Sequence, residues 1–483
     1  MNKITVNHTS IIISNYNLGD NLYLEKMLSI WNDSYFRYDT KGFQYDPELK
    51  QLLIPRGLDL SYLEKSFNAN IEIDYKPDPY EPASFRLKTE PRDDIQRKSI
   101  SYLLGEIPFN YTKKYSQLSL NLQTSFGKTY CVIAALTFMK VKSLIITHNN
   151  AIKKQWHDSL LSMTDLDDSY ICNIEGSSVI ELILKSKTLK YKVYMVNHRT
   201  LQVYGEKNGW DKISNLFKKI AIGVKVIDEA HIEFYNTLKI DFYTNTKKTF
   251  YLTANFERSE HKDNKLFNLC FKNIAKYGIE TKDDKRKHIV YISVIFNSKP
   301  TLDIQASIKG LHGFDRNKYI DYQMRNGMIH DVILYLLNYF NDKEGKTLVL
   351  SSKIESSKII ADYIRSNYTN KSIAIYNSEV SDNDKLIALT SDIISSTPKS
   401  TGTGSDIPGL RILIMTEPYS SAITANQISG RLREYSSSEY TFYIELVDRG
   451  FGRVYDMYKK RLKHFKTKCV KILELKYNNE RVD

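Results

Sequence analysis

The sequence predicts an α/β protein: two doubly wound parallel-sheet domains in tandem, with a small N-terminal α+β domain. Three observations carry this. Short apolar runs that end in polar residues alternate with helical patterns from about residue 117 to residue 255. A second series of the same form follows from Lys346 to Thr416. Before both, the proline-rich segment Lys76-Pro77-Asp78-Pro79-Tyr80-Glu81-Pro82 cannot lie inside one helix or central strand, and marks a linker. The expected domains are 1–80, 81–275 and 276–483.

With 483 residues, each of these domains has enough chain for its own core. The net charge of +13 favours a polyanionic partner, nucleic acid first, unless it reflects only a lysine-rich composition. Cys131, Cys172, Cys270 and Cys469 are far apart and lack Cys-x-x-Cys spacing, which argues for a reducing compartment and against zinc or disulfides. There is no apolar run of about 18 residues, so no membrane span is expected. The first eight residues lack the apolar core of a signal peptide. A cytoplasmic location is expected.

In the N-terminal domain, Ile11-Ile12-Ile13 reads as a strand. Leu24, Leu28 and Trp31 have the spacing of one helix face. Leu52-Leu53-Ile54-Pro55-Arg56-Gly57 reads as a strand entering a turn, and Leu60, Leu63 and Phe67 fit a further helix. A helix is predicted from about Asp93. It carries Gln96, either an ordinary surface glutamine or an amide able to donate to and accept from an adenine edge.

Leu118-Ser119-Leu120-Asn121-Leu122 reads as a buried strand. It leads through Gln123-Thr124-Ser125-Phe126 into Gly127-Lys128-Thr129 and a helix. Strand, loop, Gly-Lys-Thr and helix form the layout of a phosphate-binding loop. Backbone N–H groups and the helix N-terminus face the phosphates, Lys128 adds positive charge, and the Thr129 hydroxyl can ligate Mg²⁺. The general pattern has Gly five residues before Gly127, where this chain has Leu122.

Ser143-Leu144-Ile145-Ile146-Thr147 and Val193-Tyr194-Met195-Val196-Asn197 are strands that end at helix N-termini. Thr147 and Arg199 there can meet a phosphate backbone or belong to plain connecting loops. Ala221 to Ile227 is a buried strand ending in Asp228-Glu229-Ala230-His231. Two adjacent carboxylates at that place are poorly explained by folding alone. A Mg²⁺ site accounts for Asp228, and a general base for a water nucleophile accounts for Glu229. Thr249 to Asn255 is another strand entering small polar residues.

Residues 256–300 read as charged and irregular, with 282–288 a solvated turn. The second series then runs through strands at Lys346–Ser352, Ile373–Tyr376, Asp392–Thr397 and Arg411–Thr416, with a helix over Ile354–Arg365. It has no phosphate loop of its own. Gln427-Ile428-Ser429-Gly430-Arg431-Leu432-Arg433 offers arginines able to stabilise charge on a transferring phosphoryl group. Tyr458 to Lys468 is a basic helix, either solvated or in contact with nucleic acid.

Taken together, these stretches resemble the superfamily 2 helicases of the DExH-box group, over about residues 90–450. The series is Gln96; 124–129; Ile146-Thr147; Asp228-Glu229-Ala230-His231; Thr253-Ala254-Asn255; Thr401-Gly402-Thr403-Gly404-Ser405-Asp406; and Gln427 through Arg433. Ile54-Pro55-Arg56-Gly57 and 254–259 look most like phage DNA repair and recombination helicases of the UvsW kind.

The resemblance implies two RecA-like domains with ATP and Mg²⁺ between them. Gln96 would read adenine. Ser125, Gly127 and Lys128 would hold the phosphates, Thr129 and Asp228 the Mg²⁺, and Asp406 the ribose. Glu229 would position the attacking water. Gln427, Arg431 and Arg433 would join it in catalysis, either arginine serving as the main finger. His231, Thr253 and Gly404 would couple hydrolysis to motion, and Thr147, Thr401 and Arg199 would meet the nucleic acid. Three departures stand out. Ser125 lies where Gly is common, Asn255 replaces a Thr, and Gly430-Arg431-Leu432-Arg433 is one residue shorter than Gly-Arg-x-x-Arg. The implied function is an ATP-driven motor on branched DNA. An RNA helicase or transcript-release factor shares the motif set. A nucleic-acid-binding protein with a degenerate ATPase is the reading from a different class.

Overall fold

The structure is a computed structural model of the chain. It describes residues 2–32, 37–74, 76–122, 126–253, 261–278, 286–310, 313–401, 407–417, 419, 425, 428–433, 435, 439–466, 468–478 and 481–482. The chain divides into two compact units, Met1–Ile279 and Glu280–Asp483.

The first unit is built on a seven-stranded parallel sheet. Its strands run Ile171–Ile174, Val193–Asn197, Ser143–Thr147, Val224–Ile227, Lys248–Thr253, Gln117–Asn121 and Ala275–Gly278 across the sheet. Successive residues of these strands serve opposite faces, because side chains alternate along a strand. Ile145, Met195, Val226 and Leu252 pack with the helices Asp94–Leu104, Lys128–Met139 and Asn150–Met163. Leu144, Ile146, Tyr194 and Tyr251 face the other way. There they join one continuous core with Ile4, Val6, Ile11, Ile13, Leu52 and Ile54 of a five-stranded N-terminal sheet.

Polar groups tie this N-terminal sheet to the parallel one. Gln117 Nε2 donates to the carbonyl of Thr9 at 3.2 Å and to the Tyr251 hydroxyl at 2.6 Å. Tyr251 donates to Asp241 at 2.6 Å, and the fully buried Lys225 completes the chain by donating to Asp241 and Thr244, each at 2.6 Å. Both Asp241 oxygens and two of the three Lys225 N–H groups are thereby bonded, which offsets the cost of burying the pair. Gly57 also explains itself. A Cβ on it would lie 2.2 Å from the Cys270 carbonyl oxygen, and its own carbonyl accepts from the Asn273 N–H at 3.1 Å.

Two expectations are corrected here. The helix of Leu22–Met27 stops before Trp31, and Ser29–Asn32 instead pairs as a strand with Arg37–Lys41. Strand-favouring Ile30 and Trp31 follow the helix end, and pairing overrides the helical spacing. The stretch 256–300 is also not irregular. It contains the helix His261–Cys270 and the strands Ala275–Gly278 and Arg286–Phe296. The apolar run Ile289 to Phe296 is a central strand with both faces buried.

The second unit holds an eight-stranded sheet. Its order is Ile373–Tyr376, Ile393–Ser396, Lys346–Leu350, Leu410–Met415, Thr441–Asp448, Arg286–Phe296, Cys469–Asn478 and Arg481–Val482. All pairings are parallel except the last. The basic helix, Gly452–Phe465, does not end the chain, since Cys469–Asn478 follows it as a strand. That strand interleaves Lys471, Glu474 and Lys476 with apolar residues, a charged pattern that suits a position near a sheet edge. Among the described residues, no helix is long and apolar enough to cross a membrane. All four cysteines are buried free thiols.

Candidate active site

In an open parallel sheet the reactive groups gather beyond the carboxyl ends of the strands. The first unit follows that rule. Asn121, Thr147, Asn197, Ile227 and Thr253 end their strands, and the candidate residues lie there or in the next few positions.

The helix Lys128–Met139 begins at Gly127, whose φ of 79° is left-handed. A Cβ there would lie 2.4 Å from Gln96 Nε2, the tip of a side chain, so it is the left-handed φ that calls for glycine. Gln96 is therefore no surface glutamine. It is buried, its Oε1 accepts from the Arg92 N–H at 2.8 Å, and its amide nitrogen sits against the phosphate loop. The Asp93 side chain caps this helix by accepting from the Gln96 N–H at 2.9 Å. Thr129 is the second residue of the Lys128–Met139 helix, where its backbone N–H is among those left without an intrahelical partner.

Lys128 Nζ stands 3.6 Å from Glu229 Oε1. Glu229 Oε2 is 3.4 Å from His231 Nδ1, and the Thr253 hydroxyl is hydrogen-bonded to that same ring nitrogen at 2.9 Å. Glu229 Oε2 is buried and makes no hydrogen bond, so it remains an open acceptor for a water. Asp228 lies alongside. Its Oδ1 accepts from the Glu229 N–H at 3.0 Å and its Oδ2 from Trp156 Nε1 at 2.7 Å. Burial, with the Glu229 charge beside it, pushes the Asp228 carboxyl up to about 6, against the pull of Trp156 and Lys128. Burial also raises Glu229, but Lys128, His231 and His148 more than offset it and hold that carboxyl below its usual value. A carboxylate and a hydroxyl at the mouth of a phosphate loop are hard oxygen donors that suit Mg²⁺, and the open acceptor suits a water beside it. Bound there, Mg²⁺ would be held by Asp228 and Thr129 and would neutralise charge on phosphate oxygens.

Thr147 is fully buried, and its hydroxyl donates to Asn197 Oδ1 at 2.8 Å. Asn197 Nδ2 in turn donates to Asn150 Oδ1. Arg199, two residues past Asn197, is exposed near the start of the helix His198–Asn208. Thus Thr147 organises the strand-end loops from within, while Asn150 and Arg199 face outward.

In the second unit Thr401 is also buried, and its hydroxyl donates to the Thr397 carbonyl at 3.0 Å. Arg431 is half-buried and Arg433 exposed. Between them Leu432 enters the core, and its carbonyl is hydrogen-bonded to His288 Nε2 at 3.0 Å. Ser125, Ala254, Asn255, Gly404, Asp406 and Gln427 lie outside the described residues.

Sequence reasoning missed Trp156, Asn150 and Asn197. Trp156 recurs with Ile152 and Leu160 at a spacing of four, which reads as core. Only its partner reveals the second use of its N–H.

Residues 89–258 match the family described as type III restriction enzyme, res subunit. A transcript termination protein A18 of fowlpox virus is 24% identical over 73% of this chain and 74% of its own. Dbp5 of S. cerevisiae, in a structure bound to RNA and ADP BeF3, covers 79% of this chain and 89% of its own. It is 11% identical, with a TM-score of 0.52, a likeness of fold. UvsW of T4 is 16% identical over 98% of this chain and 99% of its own, with a TM-score of 0.38.

Proposed function

We propose that this chain, a superfamily 2 helicase in fold and motif order, is an ATP-driven motor on nucleic acid whose substrate is branched DNA. The observation that carries the ATPase is the connected set of half-buried Lys128 and Glu229 with buried Asp228, His231 and Thr253, gathered at the strand ends behind a glycine-dependent phosphate loop. Lys128 binds phosphate. Glu229, kept ionised, accepts the proton of an attacking water. His231 and Thr253 carry the state of that carboxylate to the end of the strand Lys248–Thr253. Arg431 and Arg433 are the candidates for stabilising the transferring phosphoryl group. The nucleic-acid contacts are assigned to the outward-facing Asn150 and Arg199, with Thr147 holding their loops. Such contacts reach the backbone, so the motor has little sequence preference and a strong salt dependence.

A second reading, action on a transcript, is favoured by the fowlpox virus relative, a transcript termination protein. Steady-state ATPase without nucleic acid, with single-stranded DNA, forked DNA or RNA, separates the readings. Stimulation by forked DNA, abolished by Lys128→Ala, is expected. Stimulation by RNA alone moves the protein to the transcript reading. No turnover with any of them leaves a binding protein with an inactive site.

A further inference from the structure

Trp156 is 1% exposed, on the helix Asn150–Met163. Packing alone would be served by any large apolar side chain there. The indole adds one N–H, and a buried indole N–H needs a partner. That partner is Asp228 Oδ2, at 2.7 Å. With the Glu229 N–H on Oδ1, each oxygen of the carboxylate receives one donor, and each keeps a lone pair. The group is thereby fixed in rotation without being used up.

The same helix begins at the strand-end loops. Asn149 caps it by accepting from the Ile152 N–H at 2.9 Å, and Asn150 is held by Asn197, which is held by Thr147. Asn150 and Trp156 are six positions apart on the helix, a rise of about 9 Å. One rigid element therefore touches the loops assigned to nucleic acid at its end and the metal-facing carboxylate in its middle.

We propose that Trp156 is a positioning residue: its N–H orients Asp228 toward Mg²⁺, and the helix carries occupancy of the nucleic-acid loops to that carboxylate. This rests on the reading of the chain as a nucleic-acid-dependent ATPase.

The test is Trp156→Phe, which keeps an aromatic ring and removes the N–H. Binding of a fluorescent ADP analogue is titrated with Mg²⁺, without turnover, in the presence and absence of forked DNA and of RNA. Losing an outer partner of a metal-facing ligand weakens metal binding by about 10- to 100-fold. The Mg²⁺ midpoint is expected to rise by at least about tenfold while Mg²⁺-free binding is unchanged. The shift that nucleic acid causes in the wild type should shrink. An unchanged midpoint in a variant with wild-type thermal unfolding overturns the positioning role. An undiminished nucleic-acid shift overturns the relay. If Trp156→Phe does not fold, 5-fluorotryptophan-labelled wild type serves instead, with the Trp156 ¹⁹F signal assigned by replacing Trp31 and Trp210. That signal is expected to move on adding Mg²⁺ and ADP, and to move again with nucleic acid. A static signal overturns the proposal. Absence of any Mg²⁺-dependent nucleotide binding in the wild type sinks the ATPase reading itself, a separate outcome.

Discussion

Glu229 adopts a φ of 48°, a left-handed conformation that costs a non-glycine residue roughly 1–3 kcal/mol. The turn that imposes it follows the strand Val224–Ile227 at once and carries the carboxylate toward Lys128. Strain held at the proposed general base predicts opposite effects on activity and stability. Glu229→Gly should lose ATP turnover by about 100-fold or more, as expected on removing a general base, while its unfolding midpoint is unchanged or higher. Glu229→Gln should lose turnover to the same degree. Wild-type, DNA-stimulated turnover in Glu229→Gln would remove Glu229 from the mechanism. His198 sets a second expectation. It is buried, with neither ring nitrogen hydrogen-bonded, and burial, with His148 and Lys225 nearby, pushes its imidazole down to about 3. Between that value and about 6.5 the unfolded chain binds a proton that the folded chain does not. Stability therefore falls with pH below about 6.5, by about 2 kcal/mol at pH 5 from this residue. Denaturant unfolding at pH 7 and pH 5 should show that increment in the wild type and its loss in His198→Leu.

At the scale of elements, the helix Gly452–Phe465 divides its faces. Val454, Tyr458, Arg461 and Phe465 are buried, and Arg461 pairs with buried Glu445. The outer face, continued by Lys466 just past the helix end, exposes Arg453, Lys459, Lys460, Lys463 and Lys466, none with a carboxylate partner among the described residues. Asp456 is the one acid of this helix, and the like charges of Lys459, Lys460, Lys463 and Lys466 three and four residues apart outnumber it, so this face suits an external anion. Replacing Lys459, Lys460 and Lys463 with Gln should leave ATPase at saturating nucleic acid unchanged. The slope of log affinity against log salt should become shallower, by up to about 0.9 for each duplex phosphate the helix no longer neutralises. An unchanged slope makes the face merely solvated. The strand Gln51–Pro55 offers a different test through the turn that follows it. Gly57→Ala drives a methyl into the Cys270 carbonyl, and should lower stability by about 1–3 kcal/mol in chemical denaturation without altering nucleotide affinity.

For the whole molecule, the N-terminal sheet is bound to the parallel sheet by core rather than by charge. Residues 1–75 carry ten acidic and seven basic side chains, so the excess of positive charge lies in the remainder. Their apolar face forms one cluster with Leu144, Ile146 and Tyr251 of the parallel sheet. Removing residues 1–75 should therefore expose that cluster. The fragment 76–483 is expected to bind an apolar dye and aggregate in size-exclusion chromatography. A monomeric fragment that unfolds cooperatively would show that the parallel sheet does not depend on the shared core.

Legible in the chain alone were the α/β class, the Gly-Lys-Thr that opens a helix after a strand, the paired carboxylates and the strand ends that carry polar groups. Each is local: period-two apolar runs, a glycine before Lys128, two acids after a buried strand. The strand Ile289 to Phe296 escaped because a strand buried on both faces shows no alternation, and its flanking charges resemble those of a loop. The helix assigned through Trp31 failed because strand pairing is decided by a partner segment, not by spacing. Which atoms meet is settled by the folded chain. Gln96 lies against Gly127, Thr147 spends its hydroxyl on Asn197, and Trp156 gives its N–H to Asp228, across 31, 50 and 72 positions of chain. Such partners are fixed by the order of strands in the sheet and the packing of helices upon it, and no local pattern in the chain encodes them.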